Sequence, residues 1–238
     1  MEQFIENIRP LPFLPLWVVI VIFSTLLIVL FLHLYSPKIL WLPFLSLVDN
    51  RVRRELIESR FSFQVRLLNL MDIIFYINFS LILYFLIKIY SLQWLFKFIT
   101  NFFYPQWEDI ILFFSLLFFS FIMVFIKKQV FLVIAHLFDE LKKYYIFVWN
   151  INMLIKVFGI IMLPFVFMYS WEIINNIQYL IIILIVNTIL YFIFILISFL
   201  EISHKSIIDY INFILYLCAL EIIPLLFILK YTLSFRNG

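Results

Sequence analysis

The sequence predicts an all-α fold: a polytopic membrane helical bundle of about six transmembrane helices with interfacial amphipathic helices, a single domain over residues 1–238. Three observations carry this expectation. Apolar residues (AVILMFWYC) make up 66% of the chain and charged residues 13%, with a mean hydropathy of +1.15, whereas soluble globular proteins run at about 45–50% and about 25%. A water-soluble core has no room for so much apolar surface, and the excess would form a very large exposed patch; the same composition excludes a disordered chain. The apolar residues also fall in stretches of about 20, the length needed to cross a hydrocarbon layer about 30 Å thick as helices. They lack the two-residue alternation of barrel strands, as in Leu180 to Val186 (LIIILIV), and a helix pairs its backbone groups within one segment.

Six stretches qualify as spans. Leu14 to Leu34 carries no charge, and Leu70 to Ile89 has Asp72 near its start and Lys88 near its end. Ile110 to Ile126 is opened by Glu108 and Asp109 and closed by Lys127 and Lys128. Leu154 to Trp171 is interrupted by Gly159 and Pro164, Ile177 to Leu200 carries no charge, and Ile208 to Tyr231 carries Glu221 and Pro224. Between them, Lys128 to Trp149 is apolar but holds Asp139, Glu140, Lys142 and Lys143 at its centre, where charge is most costly in a span. It reads as an interfacial helix and not a seventh crossing. Leu92 to Trp107, rich in aromatics, reads as an interfacial belt.

Positive charge sets the orientation. The first, third and fifth loops together hold 12 Lys and Arg residues, and the other side holds 5. The loops 35–69 and 127–153 are therefore expected in the cytoplasm and both termini in the periplasm, in the inner membrane. Glu2 and Glu6 stand where a signal peptide has basic residues, and the first apolar run is long for one, so it is expected to remain as a span.

Composition removes several function classes. Two glycines, Gly159 and Gly238, cannot build a glycine-rich phosphate loop. One cysteine, Cys218, forms no intramolecular disulfide and no cysteine-based zinc site. A net charge of +3 is ordinary for basic cytoplasmic loops and does not point to nucleic acid. His33, His136 and His204 lie on separate segments without ligand spacing, so neither a metal nor another cofactor is expected.

The candidate site residues are the polar ones inside spans. Glu221 is mid-span, where an ionised group costs about 2.5–3.5 kcal/mol. Its carboxyl either stays protonated, because desolvation disfavours the charged form, or finds donors in the bundle interior. Pro224 breaks the helix hydrogen bonding beside it. Asn187 lies at a similar depth and Asn78 slightly shallower, and an Asn amide can donate to a carboxyl. Glu221, Asn187 and Asn78 thus form a candidate intramembrane polar cluster, read either as a relay or as an interhelical clamp. Pro224, Pro164 and Gly159 are candidate kink or hinge positions, with close helix packing the alternative for Gly159. Lys156 is expected to snorkel to the interface, and Asp72 to pair with Arg66 or sit among headgroups. Arg51, Arg53, Arg54 and Arg60 are candidates for contact with anionic lipid.

The string FILYLCALEIIPLLF (Phe213 to Phe227), the fourth span's NMLIKVFGIIMLPF (Asn152 to Phe165) and the order of spans around them resemble a family of small integral membrane proteins of Bacteroidota, domain of unknown function 4271. The resemblance implies a multi-helix inner-membrane protein and no known activity, cofactor or catalytic residue. The functional expectation is a non-enzymatic subunit or scaffold of a cell-envelope assembly, with the bilayer and envelope proteins as partners. The alternatives are a proton, ion or lipid carrier using Glu221, and an enzyme on a lipid-linked substrate held by the Arg51 to Arg60 run.

Overall fold

A computed structural model describes residues 15–59, 63–89, 107–137, 141–171 and 178–202. Apart from short turns and helix ends those residues are helical, with no strand among them. The helices are α1 (Leu16–Tyr35), α2 (Leu42–Val48), α3 (Asn50–Glu58), α4 (Phe63–Ile89), α5 (Glu108–Leu137), α6 (Leu141–Ser170) and α7 (Gln178–Ile202). Five contain stretches long and apolar enough to cross a membrane: Leu16–Tyr35, Phe63–Ile89, Glu108–Val130, Tyr145–Ser170 and Gln178–Ile197. The expected sixth span, 208–231, and the belt segment 92–106 lie outside the described residues.

Two boundaries differ from expectation. The helix that carries the second expected span, 70–89, is already formed at Phe63, because Phe63 to Asn69 continues it with mostly apolar residues. The segment from Lys128 to Trp149 is not a separate interfacial helix. Its first part extends α5 to Leu137, and its second part, from Leu141, begins α6. Leu and Lys are good helix formers, so both described parts continue as helix, up to Leu137 and from Leu141 onward.

Met1–Ile122 and Asn152–Asn187 form one compact unit, and Met123–Ile151 and Thr188–Gly238 a second, as far as their residues are described. In the first unit, α4 is the hub. Trp17 meets Tyr84 edge-on at one end of α1, with ring centroids 5.2 Å apart, and Tyr35 meets Phe63 at the other, at 5.1 Å. α1 therefore runs antiparallel to α4. Lys88 pairs with Asp109, Ser80 with Ser120 and the Tyr76 ring with Phe121; numbers fall on α4 as they rise on α5, so this pair is antiparallel too. Asp72 pairs with Lys156, and Phe85 lies 5.1 Å from Tyr169. Here both numbers rise together over 13 residues, about 20 Å of helix, so α4 and α6 run in the same direction. Consecutive crossings of a bilayer require this alternation.

The core of this unit gathers Val18 and Ile22 of α1, Leu81, Ile82 and Phe85 of α4, Leu112 and Leu116 of α5, Met162 and Val166 of α6, and Leu180 of α7. Half of the most apolar window of α4 and of α6 is buried (50% and 56%), against 22% for α1, α5 and α7. The two inner helices are the ones that carry Asp72, Asn78, Lys156 and Gly159; the outer three expose Phe114, Phe118, Ile182, Ile189 and similar residues. Polar groups cannot face hydrocarbon without cost, so their placement selects which helices are central. In the second unit, the Lys127 ammonium is bonded to the Tyr191 hydroxyl and lies 4.4 Å from its ring centroid, tying α5 to α7.

Candidate functional site

The polar residues of α4 and α6 meet along one seam. Asp72 Oδ1 accepts from Lys156 Nζ at 2.6 Å, and the lysine side chain is 3% exposed, the aspartate 18%. This differs from both expectations. Lys156 lies 11 residues beyond Tyr145, the near end of its span, about 16 Å at 1.5 Å per residue, too deep for a lysine to reach the interface. A carboxylate on the neighbouring helix is closer. Asp72 is nine residues inside α4 and faces Lys156, while Arg66 is exposed. Each charge alone would cost about 2.5–3.5 kcal/mol at mid-span; as a bonded pair they offset much of that, and removing one partner strands the other.

One turn further along, the helices touch at backbone distance. A Cβ on Gly159 would stand 2.8 Å from the Phe75 backbone nitrogen and 2.9 Å from its Cα. Only glycine permits this approach, the small-residue mode by which helices pack in lipid. Next, Asn78 Nδ2 donates to the Gly159 carbonyl at 3.0 Å, and Asn78 is fully buried. Asp72–Lys156, Phe75–Gly159 and Asn78–Gly159 thus form a continuous seam: an ion pair, a close crossing and an amide bond. α6 continues unbroken through Pro164, whose side chain is exposed.

Two further cross-helix contacts flank the seam. Ser120 Oγ donates to the Leu117 carbonyl at 2.8 Å. Its hydrogen is thereby used, so Ser80 is the donor in the 3.3 Å bond between the two hydroxyls. At the end of α4, the Tyr84 hydroxyl and Lys88 both engage Asp109 at the start of α5, and the Tyr84 ring meets Trp17 edge-on. Asp109 in the first turn also faces the positive end of the α5 dipole.

Of the residues singled out from sequence, Asn78 is in the seam. Asn187 on α7 is buried, and its amide donates to the Ile183 carbonyl of its own helix at 2.8 Å. Its Oδ1 has no partner among the described residues. Glu221, Pro224 and Arg60 lie outside the described residues. Arg51 and Arg54 are exposed on α3, and Arg53 is buried. Asp49 caps α3 by accepting from the Arg51 amide at 2.7 Å. The pairing of Asp72 with Lys156 is the part that inspection of the sequence missed. The available signal was two opposite charges within spans separated by a single crossing, hence parallel and at matching depth.

The chain matches the family described as Domain of unknown function (DUF4271) over residues 18–232 and belongs to it. No curated protein and no solved structure matches.

Proposed function

We propose that this member of the DUF4271 family is a non-enzymatic, multi-pass subunit of a cell-envelope assembly in the inner membrane, both termini periplasmic. One observation carries the proposal: the buried polar groups of α4 are used to hold the bundle together. Asp72 is bound to Lys156, Asn78 to the Gly159 carbonyl and Ser80 to Ser120, while the outward faces of α1, α5 and α7 are apolar. Helices tied to one another by their polar groups and apolar on their exposed faces suit a part that other spans pack against. The orientation rests on the excess of Lys and Arg in loops 35–69 and 127–153.

Photo-crosslinking in native membranes tests this. A benzophenone residue at Phe118 of α5 or Ile189 of α7, both exposed, is expected to give a discrete higher-mass protein adduct from at least one position. Adducts of lipid alone at both positions would contradict it.

A second reading, a proton or ion carrier, draws on the mid-span Asp72–Lys156 pair, since intramembrane charges often mark such pathways. It expects Asp72→Asn or Glu221→Gln to abolish proton flux in proteoliposomes while insertion is unchanged. Equal flux in wild type and empty vesicles would end it.

A further inference from the structure

We infer that α2 is an in-plane membrane anchor whose outer face is seated in the phospholipid leaflet, so that part of the loop between α1 and α4 lies in lipid and not in water. Backbone bonds run from Trp41 and Leu42 to the Lys38 carbonyl, from Leu45 to Trp41 and from Asp49 to Leu45. Helical winding therefore begins at Lys38, and Lys38, Trp41, Leu45 and Val48 fall on one face at helical spacing.

The opposite face, Ile39, Pro43 and Ser46, is buried against the protein. An ordinary surface helix would turn polar residues outward. Here Trp41 is 65% exposed, Leu45 49% and Val48 85%. A helix apolar on both faces needs a second apolar medium.

Three features identify that medium as a lipid leaflet. The face continues the exposed apolar end of α1, where Leu34 and Tyr35 stand a few residues before it. It opens with an exposed lysine and a tryptophan, the pairing that anchors at headgroup level. It also stops at Asp49. Beyond that N-cap the outer face of α3 is Asn50, Arg51, Arg54, Glu55 and Glu58, all exposed, with Arg51 paired to Glu55 at 3.7 Å. That face is mixed in charge and belongs in water. The lipid–water boundary thus crosses the chain at the α2–α3 junction, and Lys38 is placed to meet a lipid phosphate.

Spin labels on the full chain in phospholipid nanodiscs test this. Cysteines are introduced singly at Leu45, Val48, Arg54 and Glu58 in a Cys218→Ala background, with elution volume as the folding control. At 45 and 48, collision with oxygen is expected to exceed collision with a water-soluble nickel chelate. At 54 and 58 the order is expected to reverse. Chelate dominance at 45 and 48 would place α2 in water and overturn the inference. Exclusion of both reagents there would mean a protein covers the face, and would equally overturn it. Hydroxyl-radical footprinting of the unaltered chain gives the same reading without substitution: Trp41 protected in nanodiscs upholds the inference, and Trp41 oxidised as fast as in the urea-denatured chain refutes it.

Discussion

Replacing Lys156 by Met keeps the length and apolar stem of the side chain and removes its charge. Asp72, whose Oδ1 accepts from Lys156 Nζ at 2.6 Å, loses the cation that makes its position within the bundle tolerable. Breaking a buried pair from one side costs about 3–5 kcal/mol. Because Asp72 retains 18% exposure, the lower end, about 3 kcal/mol, applies. For a chain of this length, about 2–4 °C of melting temperature follows each kcal/mol, so Lys156→Met should melt about 6–12 °C below wild type in detergent. Asp72→Asn should also fall, because it removes the carboxylate that Lys156 Nζ donates to. The double variant Asp72→Asn with Lys156→Met removes both charges and should lose about 2 kcal/mol less than the two singles added together. Detergent-solubilised protein followed by fluorescence-detected size exclusion over a temperature series gives all the corners of the cycle. If the double variant loses as much as the two singles added together, the two side chains do not act as a pair and the seam described here is wrong.

Gly159→Ala forces a methyl within 3 Å of the Phe75 backbone; parting the helices should cost about 1–3 kcal/mol, read by the same melting assay. Asn78→Leu fills a similar volume but cannot donate to the Gly159 carbonyl, and should cost about 1 kcal/mol. Tyr84→Phe removes one of two groups on Asp109 and leaves Lys88 in place, so its loss should stay below about 1.5 kcal/mol and below that of Gly159→Ala.

Much of the fold was legible because lipid imposes simple rules on length and apolarity. The cores of the five described spans follow from uninterrupted apolar runs such as Ile110 to Ile126. The ends were harder to place. Phe63 to Asn69 carries Gln64, Arg66 and Asn69 among apolar residues, a mixture that hydropathy counts as loop and that a helix entering the membrane accepts readily. The 128–149 segment differs for a related reason: its first part continues α5 to Leu137 and its second begins α6 at Leu141, and a charged cluster does not by itself tell the ends of two long helices from an interfacial helix.

The seam was only partly legible. Asn78 stood out as a polar residue in a span and Gly159 as a close-packing position, and they are bonded to one another. Lys156 and Asp72 were assigned to the interface because each lay near an expected span end. Once α4 and α6 are extended toward their true starts, the same residues lie deep inside, and pairing becomes the least costly arrangement. The facing of α2 required the fold. Its residues are almost all apolar, and only the burial of Ile39, Pro43 and Ser46 distinguishes its two faces.

The parallel register of α4 and α6 underlies both the ion pair and the glycine crossing, and one cross-link tests it directly. Cysteines at Phe85 and Tyr169, whose rings lie 5.1 Å apart, are placed in a Cys218→Ala chain in native membranes and treated with a short bismaleimide. The account predicts rapid intramolecular linkage, seen as a mobility shift. A chain that inserts normally yet links 85 to neither 169 nor a cysteine one turn away at Phe165 would contradict it.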